Sequence, residues 1–155
     1  MGKLIVIEGT DGSGKSTQFR LLSERLEKEQ IRFKHLVFPR YSEESSALIR
    51  MYLGGQFGSK PSDVNAYAAS AFYAVDRYAS FKKVWGQWYE EGGLIVSDRY
   101  TTSNAVHQAS KEPVEKQADF LKKDILLVSW ILLGLWQMGC LIKRLQINFL
   151  LQKVL

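Results

Sequence analysis

A glycine-rich segment constrains the fold of this chain more than any other stretch: Gly9-Thr10-Asp11-Gly12-Ser13-Gly14-Lys15-Ser16. It fits the pattern G-x-x-x-x-G-K-[ST], in which glycines let backbone N–H groups curl around phosphate oxygens. The apolar, β-branched run Leu4-Ile5-Val6-Ile7 before it is typical of a buried strand. After it, Phe19, Leu22 and Leu26 recur at helical spacing. The sequence therefore predicts a strand, a phosphate-binding loop, and a helix whose N-terminus faces the phosphates.

The loop predicts the first half of a site, for a nucleoside triphosphate such as ATP bound with Mg²⁺. Lys15 would reach the β- and γ-phosphates, and the Ser16 hydroxyl would bind Mg²⁺. We expect the triphosphate to be held by nine consecutive residues: Gly9, Thr10, Asp11, Gly12, Ser13, Gly14, Lys15, Ser16 and Thr17. An ordinary strand-turn-helix corner is the alternative, and the two matching flanks disfavour it.

Composition places the chain among ordinary globular proteins and excludes some partners. Its 155 residues suffice for one domain with a core. The single cysteine, Cys140, predicts a reducing compartment. Met1-Gly2-Lys3 leads straight into the first strand without a signal peptide. From these two features we expect a cytoplasmic protein. The net charge is +5, but residues 1–120 carry only +1, which gives little reason to expect a nucleic-acid polymer as partner.

Periodicity and turn residues predict the remaining elements. They are a helix from the loop to about Gln30, a strand over 33–38, a helix over 44–53, a long helix over 62–91 capped by Ser62, a strand over 94–97, and a helix over 101–110. Strands that alternate with helices predict an α/β fold of three layers around a parallel sheet, the P-loop NTPase architecture.

Three polar clusters each follow an apolar strand directly: the glycine-rich loop, Phe38-Pro39-Arg40, and Asp98-Arg99-Tyr100. In an open parallel sheet, ligands bind beyond the carboxyl ends of the strands. We therefore expect all three clusters to meet at one edge of the sheet and to form one site.

The residue types in these clusters predict a second, phosphorylated ligand. Arg40 and Arg99 are fixed positive charges that can grip a phosphate in a bidentate way. Asp98 could order Mg²⁺ through water, or accept a proton or hydrogen bond from the acceptor. Taken alone, Arg40 has a surface position as its alternative, because an arginine after a strand is often exposed. Together the clusters favour phosphoryl transfer to a nucleotide, because its catalysis consists largely of positioning and charge neutralisation.

The long helix offers a place for a base. Tyr73, with Phe72 beside it, presents a flat aromatic surface, and Arg77 one turn later can hydrogen-bond a base edge. The alternative for Tyr73 is a core position, and His107 is best interpreted as an ordinary helix residue.

Four segments, in this order and spacing, closely resemble the thymidylate kinase family: residues 7–18 (IEGTDGSGKSTQ), 38–41 (FPRY), 72–78 (FYAVDRY) and 98–100 (DRY). The resemblance covers about residues 1–120. It implies a nucleoside monophosphate kinase fold. The implied reaction transfers the γ-phosphate of ATP to dTMP, giving dTDP and ADP, with Mg²⁺ as cofactor.

The resemblance also implies roles for individual residues. Lys15, Asp11, Arg99 and Asp98 would be catalytic, with Asp98 near the metal beside Ser16. Asp11 would meet the 3′-hydroxyl of dTMP, and Arg40 and Arg99 would hold its phosphate. Residues implied at the substrate are Asp11, Phe38, Pro39, Arg40, Tyr73 (stacked on thymine), Arg77 (at a thymine carbonyl), Arg99, Ser103, Asn104 and Gln108. Such kinases are usually homodimers that pack long helices, here the 62–91 helix.

The family pattern is not recognisable after about Phe120. The resemblance implies a fourth strand, an arginine-bearing lid, a fifth strand and a closing helix, which the sequence does not show. The loop has no arginine between Gly9 and Lys15, so the lid would supply the catalytic arginine, and we expect impaired turnover without it. We therefore divide the chain into a kinase domain, 1–120, and an apolar, basic tail, 121–155.

The tail leaves several interpretations open. Residues 125–142 lack charge and are formally long enough for a membrane span, although Ser129, Gln137 and two glycines weaken it. The alternatives are a buried strand or helix that replaces the missing fourth strand, or a sequence never selected to fold, which we favour. A truncation, or a reading-frame change near residue 120, would account for such a sequence. The function has alternatives too: a deoxynucleoside kinase, a nucleotide-binding protein without turnover, or a membrane-tethered P-loop protein.

Overall fold

A three-stranded parallel sheet forms the centre of the molecule in the computed structural model, which describes residues 1–124. Its strands are β1 (Lys3–Ile7), β2 (Phe33–Val37) and β3 (Leu94–Asp98), in the order β1-β3-β2. Ile7 and Val37, the last residues of the outer strands, both pair with Asp98, the last residue of β3. The three strands therefore end at one edge, as the sequence predicted.

Helices surround this sheet. They are α1 (Lys15–Lys28), α2 (Ala47–Leu53), α3 (Ala66–Ser80), α4 (Gly86–Glu90), α5 (Thr101–Ala109) and α6, which is described over 114–124. Short 3₁₀ turns occupy Glu44–Ser46 and Pro61–Asp63. The predicted positions are confirmed to within a few residues, except for the long helix.

The core lies on both faces of β3. Ile95 and Val96 are fully buried, and they point to opposite faces because side chains alternate along a strand. Ile95 packs in an aromatic cluster with Trp85, on the side of α3 and α4, whereas Val96 packs with Phe19 and Leu26 on the side of α1. The predicted α/β fold of three layers is confirmed.

The prediction of one helix over 62–91 is wrong in two respects. The helix begins at Ala66, because the Asn65 side chain accepts a hydrogen bond from the Ala68 N–H (2.8 Å), while Ser62 lies in the preceding 3₁₀ turn. A π-helical segment, Phe81–Trp85, then separates α3 from α4. There the Gly86 N–H bonds the Phe81 carbonyl, and a Cβ at position 86 would lie 2.7 Å from that oxygen. The wide turn thus depends on a glycine.

The C-terminal tail falls outside this description for the most part. The charge-free run 125–142, and with it the membrane-span prediction, lies outside the described residues. Within residues 1–124 no helix combines the length and apolar character that a membrane crossing requires. Phe120 of α6 is buried and packs with Ala66 and Ala109, so α6 is joined to α3 and α5 up to the end of the described segment. The predicted division at residue 120 stays a prediction.

Candidate active site

The glycine-rich loop connects β1 to α1 in the expected geometry. Gly12 and Gly14 have φ values of 79° and 84°, a left-handed conformation that glycine adopts without strain. The Lys15 ammonium lies back over the loop, donating to the Thr10 carbonyl (2.8 Å) and lying 3.7 Å from Asp11. Because the first N–H groups of α1 have no intrahelical acceptor, the loop and helix together present donors to an anion.

Arg99 joins this loop to the end of β3. Its guanidinium donates to the Asp11 carboxylate across 2.5 Å, and its backbone N–H donates to the Ile7 carbonyl (3.1 Å). The hydrogen bond and charge of Arg99, with a smaller effect of Lys15, hold the pKa of Asp11 below its usual value. Arg99 has a φ of 63°, which is unusual for a residue with a Cβ and typical of functional turns.

A cavity of about 540 Å³ opens beside this bridge, between the carboxyl ends of β2 and β3 and helices α3 and α5. The structure brings nine of the predicted site residues to its walls: Phe38, Pro39, Tyr73, Arg77, Asp98, Arg99, Ser103, Asn104 and Gln108. Tyr100, from the predicted Asp98-Arg99-Tyr100 cluster, also lines the cavity. Other wall residues were given no role at the site by the sequence, among them Tyr41, Tyr52, Asp76, His107 and Lys111. Of these, His107 had been interpreted as an ordinary helix residue.

Arg40 is the predicted acceptor-phosphate residue that does not line this cavity. Its guanidinium pairs with Glu43 (3.0 Å) and borders a smaller, adjoining cavity of about 360 Å³. The two cavities share Val37, Pro39 and Tyr41. Arg99 therefore lines the larger cavity and Arg40 the smaller one, so the two guanidinium groups do not line the same cavity.

Asp76 fixes the turn that carries Arg40, a role that the sequence did not reveal. This fully buried carboxylate accepts from the Arg40 N–H (2.9 Å) and from the Ser45 hydroxyl (2.6 Å). The Phe38–Pro39 bond in this turn is cis. Asp76 thereby ties the end of β2 to helix α3.

The inner end of the cavity holds unpaired polar atoms. Arg77 is 2% exposed, and its Nε and Nη2 have no hydrogen-bond partner among the described residues. The same holds for Oδ1 of Asn104 and Oε1 of Gln108. The Asn104 amide donates its Nδ2 to the buried Ser70 hydroxyl (3.2 Å), which leaves Oδ1 as the free acceptor. The unpaired donors thus belong to α3 and the unpaired acceptors to α5, the two helices that line the cavity.

The charge on Arg77 is held in a nearly dry environment. Burial lowers the pKa of its guanidinium, and Tyr100, Asp124 and Asp76 oppose that effect in this order. The guanidinium also lies over the Tyr100 ring, 5.8 Å from its centroid. Since a buried polar group without a partner is destabilising, the cavity suits a ligand whose polar groups can pair with these atoms.

Tyr73 lines the cavity, whereas its neighbour Phe72 does not. The Tyr73 phenol is half-buried, and burial, with Tyr41 and Tyr52 nearby, raises its pKa to about 12. Phe72 packs instead against Tyr52 and Phe57, at ring-centroid distances of 6.4 and 5.7 Å. The predicted aromatic surface therefore consists of Tyr73 without Phe72.

Lys111, just after the end of α5, also lines the cavity. Its ammonium donates to the Tyr52 hydroxyl (2.6 Å) and the Val64 carbonyl (3.2 Å), which joins the end of α5 to the end of α2. These partners are 59 and 47 residues away, so no local pattern indicated the contact.

Glu8 is a second carboxylate that the sequence did not single out. It lies between β1 and the loop, and its Oε1 accepts from the N–H groups of Tyr100 (2.9 Å) and Ser103 (3.4 Å). Its Oε2 accepts a short hydrogen bond from the Ser103 hydroxyl. Its position next to Gly9 was the only available signal.

The residues predicted for Mg²⁺ fit a phosphate-bound magnesium rather than an all-protein site. Oδ1 of Asp98 is buried without a partner, at the strand end beside Ile7 and the loop. Ser16 lies in the first turn of α1. No group of three metal-binding side chains exists within residues 1–124. Mg²⁺ commonly takes one or two protein ligands and completes its shell with phosphate oxygens and waters, so Ser16 and Asp98 suit it.

The sequence matches the thymidylate kinase family over residues 7–127. The chain belongs to the thymidylate kinase family. It is 34% identical over 111 residues to human thymidylate kinase, covering 72% of this chain and 50% of the relative. It is likewise 34% identical over 111 residues to the enzyme named thymidylate kinase in Mycobacterium tuberculosis, covering 70% and 50%. The predicted family is confirmed.

Solved structures agree with this assignment. The chain aligns with thymidylate kinase from Candida albicans at a TM-score of 0.58 and 28% sequence identity, over 84% of this chain and 56% of the other. The chain spans about half the length of the curated relatives it matches.

Proposed function

We propose that this chain acts as a thymidylate kinase, transferring the γ-phosphate of ATP to dTMP to give dTDP and ADP. The observation that carries the proposal is the cavity with unpaired Arg77 donors and unpaired Asn104 and Gln108 acceptors. The Asp11–Arg99 bridge joins this cavity to the phosphate-binding loop. A base site and a triphosphate site thus share one edge of the sheet.

The unpaired atoms complement thymine better than cytosine. Thymine offers a carbonyl oxygen at C4 as an acceptor, with an N–H beside it as a donor, whereas cytosine offers an amino donor at C4. Arg77 would donate to the carbonyl, and Asn104 or Gln108 would accept from the N–H. With cytosine, donors would face donors, and a site of buried polar groups rejects such a mismatch strongly. Tyr73 would stack on the base.

The remaining residues would position the phosphates. Lys15 and the loop N–H groups would bind the triphosphate, while Arg99 and Arg40 would bind the acceptor phosphate, Arg40 after exchanging its partner Glu43. Asp11 would bind the sugar 3′-hydroxyl. Ser16 and Asp98 would hold Mg²⁺, which neutralises phosphate charge when it is bound. The chemistry asked of this chain is mainly orientation.

A homodimer along α3, and a cytoplasmic location, belong to the same proposal. Tyr67, Val75 and Tyr78 on α3 are 39%, 46% and 36% exposed, an apolar surface suited to a second copy. Light scattering coupled to gel filtration tests this part, with a monomeric mass at micromolar concentration as the contrary result.

An ADP-release assay with ATP, Mg²⁺ and one acceptor at a time tests the activity. We expect turnover with dTMP, much less with dCMP, and none with thymidine, which lacks the phosphate. Turnover with thymidine alone would identify a deoxynucleoside kinase instead. Lys15→Met serves as the inactive control, since it removes the phosphate-binding ammonium.

A binding measurement separates a kinase from a nucleotide-binding protein. Both would show melting temperatures raised by ATP and by dTMP. If binding occurs without ADP release, the chain binds nucleotides without turnover. The next experiment would then be to introduce the catalytic arginine that the loop lacks.

A further inference from the structure

The Glu8 carboxylate makes contacts that its position in the loop motif does not require. Glu8 is half-buried and lies between Ile7, the last residue of β1, and Gly9, the first residue of the loop. Its two oxygens accept three hydrogen bonds, from the Tyr100 N–H, the Ser103 N–H and the Ser103 hydroxyl. All three donors lie more than ninety residues later, at the beginning of α5.

These donors are the ones that α5 cannot satisfy by itself. The first N–H groups of a helix have no intrahelical acceptor, and the N-terminus carries a partial positive charge. A carboxylate there satisfies the donors and stabilises the helix end. α5 contains no acidic residue in its first turn, and its N-cap residue Tyr100 makes no side-chain capping bond, so Glu8 supplies the cap from another element.

The helix that Glu8 caps carries one wall of the cavity. Asn104 directly follows Ser103, and Gln108 lies one turn later on the same face. A shift of α5 along its axis would therefore move both unpaired acceptors relative to Arg77 on α3. Asp11, three residues after Glu8, makes the second tie to the β3–α5 connection through Arg99. The loop is thus joined to this connection on both sides of Gly9.

We propose that Glu8 is a positioning residue that couples the phosphate-binding loop to the base-binding face of α5. This inference rests on the proposed function for the identity of the ligands. Occupation of the loop by a triphosphate orders Glu8, which fixes α5 and prepares Asn104 and Gln108 for the acceptor. The two nucleotides consequently bind cooperatively, with a coupling of about fivefold or more, the lower end of typical values.

Calorimetric titration of the full chain with dTMP, in the absence and presence of Mg²⁺ and a non-hydrolysable ATP analogue, measures this coupling. For Glu8→Gln, which keeps the side-chain size but loses one acceptor and the charge, we expect the analogue no longer to strengthen dTMP binding, so that dTMP binds about fivefold more weakly than to the wild type when the analogue is present. The analogue alone should bind Glu8→Gln within about twofold of wild type. Glu24→Gln, which removes an exposed carboxylate of α1, is the matched control and should leave both unchanged.

Hydrogen exchange of residues 100–109 gives a readout that does not depend on dTMP. The ATP analogue should slow exchange there in the wild type and in Glu24→Gln, but not in Glu8→Gln. Ser103→Ala keeps Glu8 and removes one of its three bonds, so an intermediate loss of protection is expected even if Glu8→Gln folds poorly.

Two results would overturn the coupling. One is wild-type cooperativity and wild-type exchange in Glu8→Gln, which would make the contacts incidental. The other is an equal loss of analogue and dTMP binding, which would mean that Glu8 only stabilises the loop. If the wild type binds the analogue and protects α5 but does not bind dTMP, the coupling stands and the proposed acceptor is wrong.

Discussion

Asp76 provides the sharpest test of how the turn after β2 is held. Its side chain is fully buried, and each carboxylate oxygen accepts one hydrogen bond, from the Arg40 N–H and from the Ser45 hydroxyl. The partners lie 36 and 31 residues away, so the contacts join separate elements rather than neighbours. We predict that replacing Asp76 lowers the free energy of unfolding in graded steps.

The size of each step follows from the bonds that are lost. A hydrogen bond to a charged group contributes about 1.5–3 kcal/mol, and one between neutral groups about 0.5–1.5 kcal/mol. Asp76→Asn keeps both contacts in neutral form, because the Ser45 hydroxyl can accept from the new amide, and should be destabilised by about 2 kcal/mol. Asp76→Ala leaves Arg40 N–H and Ser45 without partners and should be destabilised by about 3–5 kcal/mol. Ser45→Ala removes one bond and should fall near the asparagine variant.

Urea unfolding followed by tryptophan fluorescence measures these differences. With a denaturant slope near 2 kcal/mol per M, the asparagine variant should unfold at about 1 M less urea than the wild type. Glu44→Gln, an exposed carboxylate in the same turn, is the control and should change the free energy by less than about 0.5 kcal/mol. If Asp76→Ala unfolds at the wild-type urea concentration, the carboxylate does not hold the turn and the reasoning is refuted.

Four further predictions concern single residues. Because Arg99 lowers the pKa of Asp11, the ionised Asp11 carboxylate stabilises the fold at pH values above its unfolded pKa. This stabilisation is lost as the pH falls through the lower, folded pKa. In Arg99→Met, NMR titration should show the Asp11 pKa rising towards its usual value. The phenol of Tyr73, with a pKa of about 12, should stay neutral up to pH 10 by ultraviolet titration, and Tyr73→Phe should remove this late transition. Tyr73→Ala should weaken dTMP binding by about 1–3 kcal/mol in calorimetry, and Tyr73→Phe by much less, if the ring stacks on the base. Gly93→Ala would place its Cβ 2.1 Å from the Trp88 indole nitrogen, so a loss of about 1–3 kcal/mol and altered tryptophan fluorescence are expected.

The parts of this molecule that depend on short-range pattern could be predicted from its sequence. The glycine-rich loop, the three strands and the shared edge where they end all follow from local spacing and from the rules of parallel sheets. The same rules pointed to Arg99 and Arg77, and the family resemblance pointed to Asn104; all three line one cavity. These residues lie directly after strands or at helical spacing, where pattern is most informative.

The parts of the molecule that depend on contacts with distant partners could not be predicted from the sequence. Glu8, Asp76 and Lys111 act through contacts 31 to 95 residues away. Glu8 and Asp76 lie in segments that resemble the family, but neither segment indicates which distant group the carboxylate contacts. Arg40 was placed correctly on its turn, but its pairing with Glu43 depends on a rotamer that pattern does not determine. The helix start at Asn65 rather than Ser62 reflects competition between two capping residues three positions apart.

The π-helical segment between α3 and α4 determines how the side chains of α3 are rotated about the helix axis relative to those of α4. Side chains four residues apart on an α-helix advance by about 40° at each step, so a long column of them winds away from a flat surface. The wider turn at Phe81–Trp85 reduces that advance and keeps Phe81, Trp85 and Tyr89 in one column, with ring-centroid distances of 4.7 and 5.9 Å, against the sheet. If the same residues closed into an ordinary α-helical turn, the preceding part of the helix would be rotated around its axis by about 100°, the angle of one residue. Arg77 would then leave the cavity while Trp85 and Tyr89 stayed in place, so the orientation of the cavity wall that carries Arg77 depends on the width of this one turn.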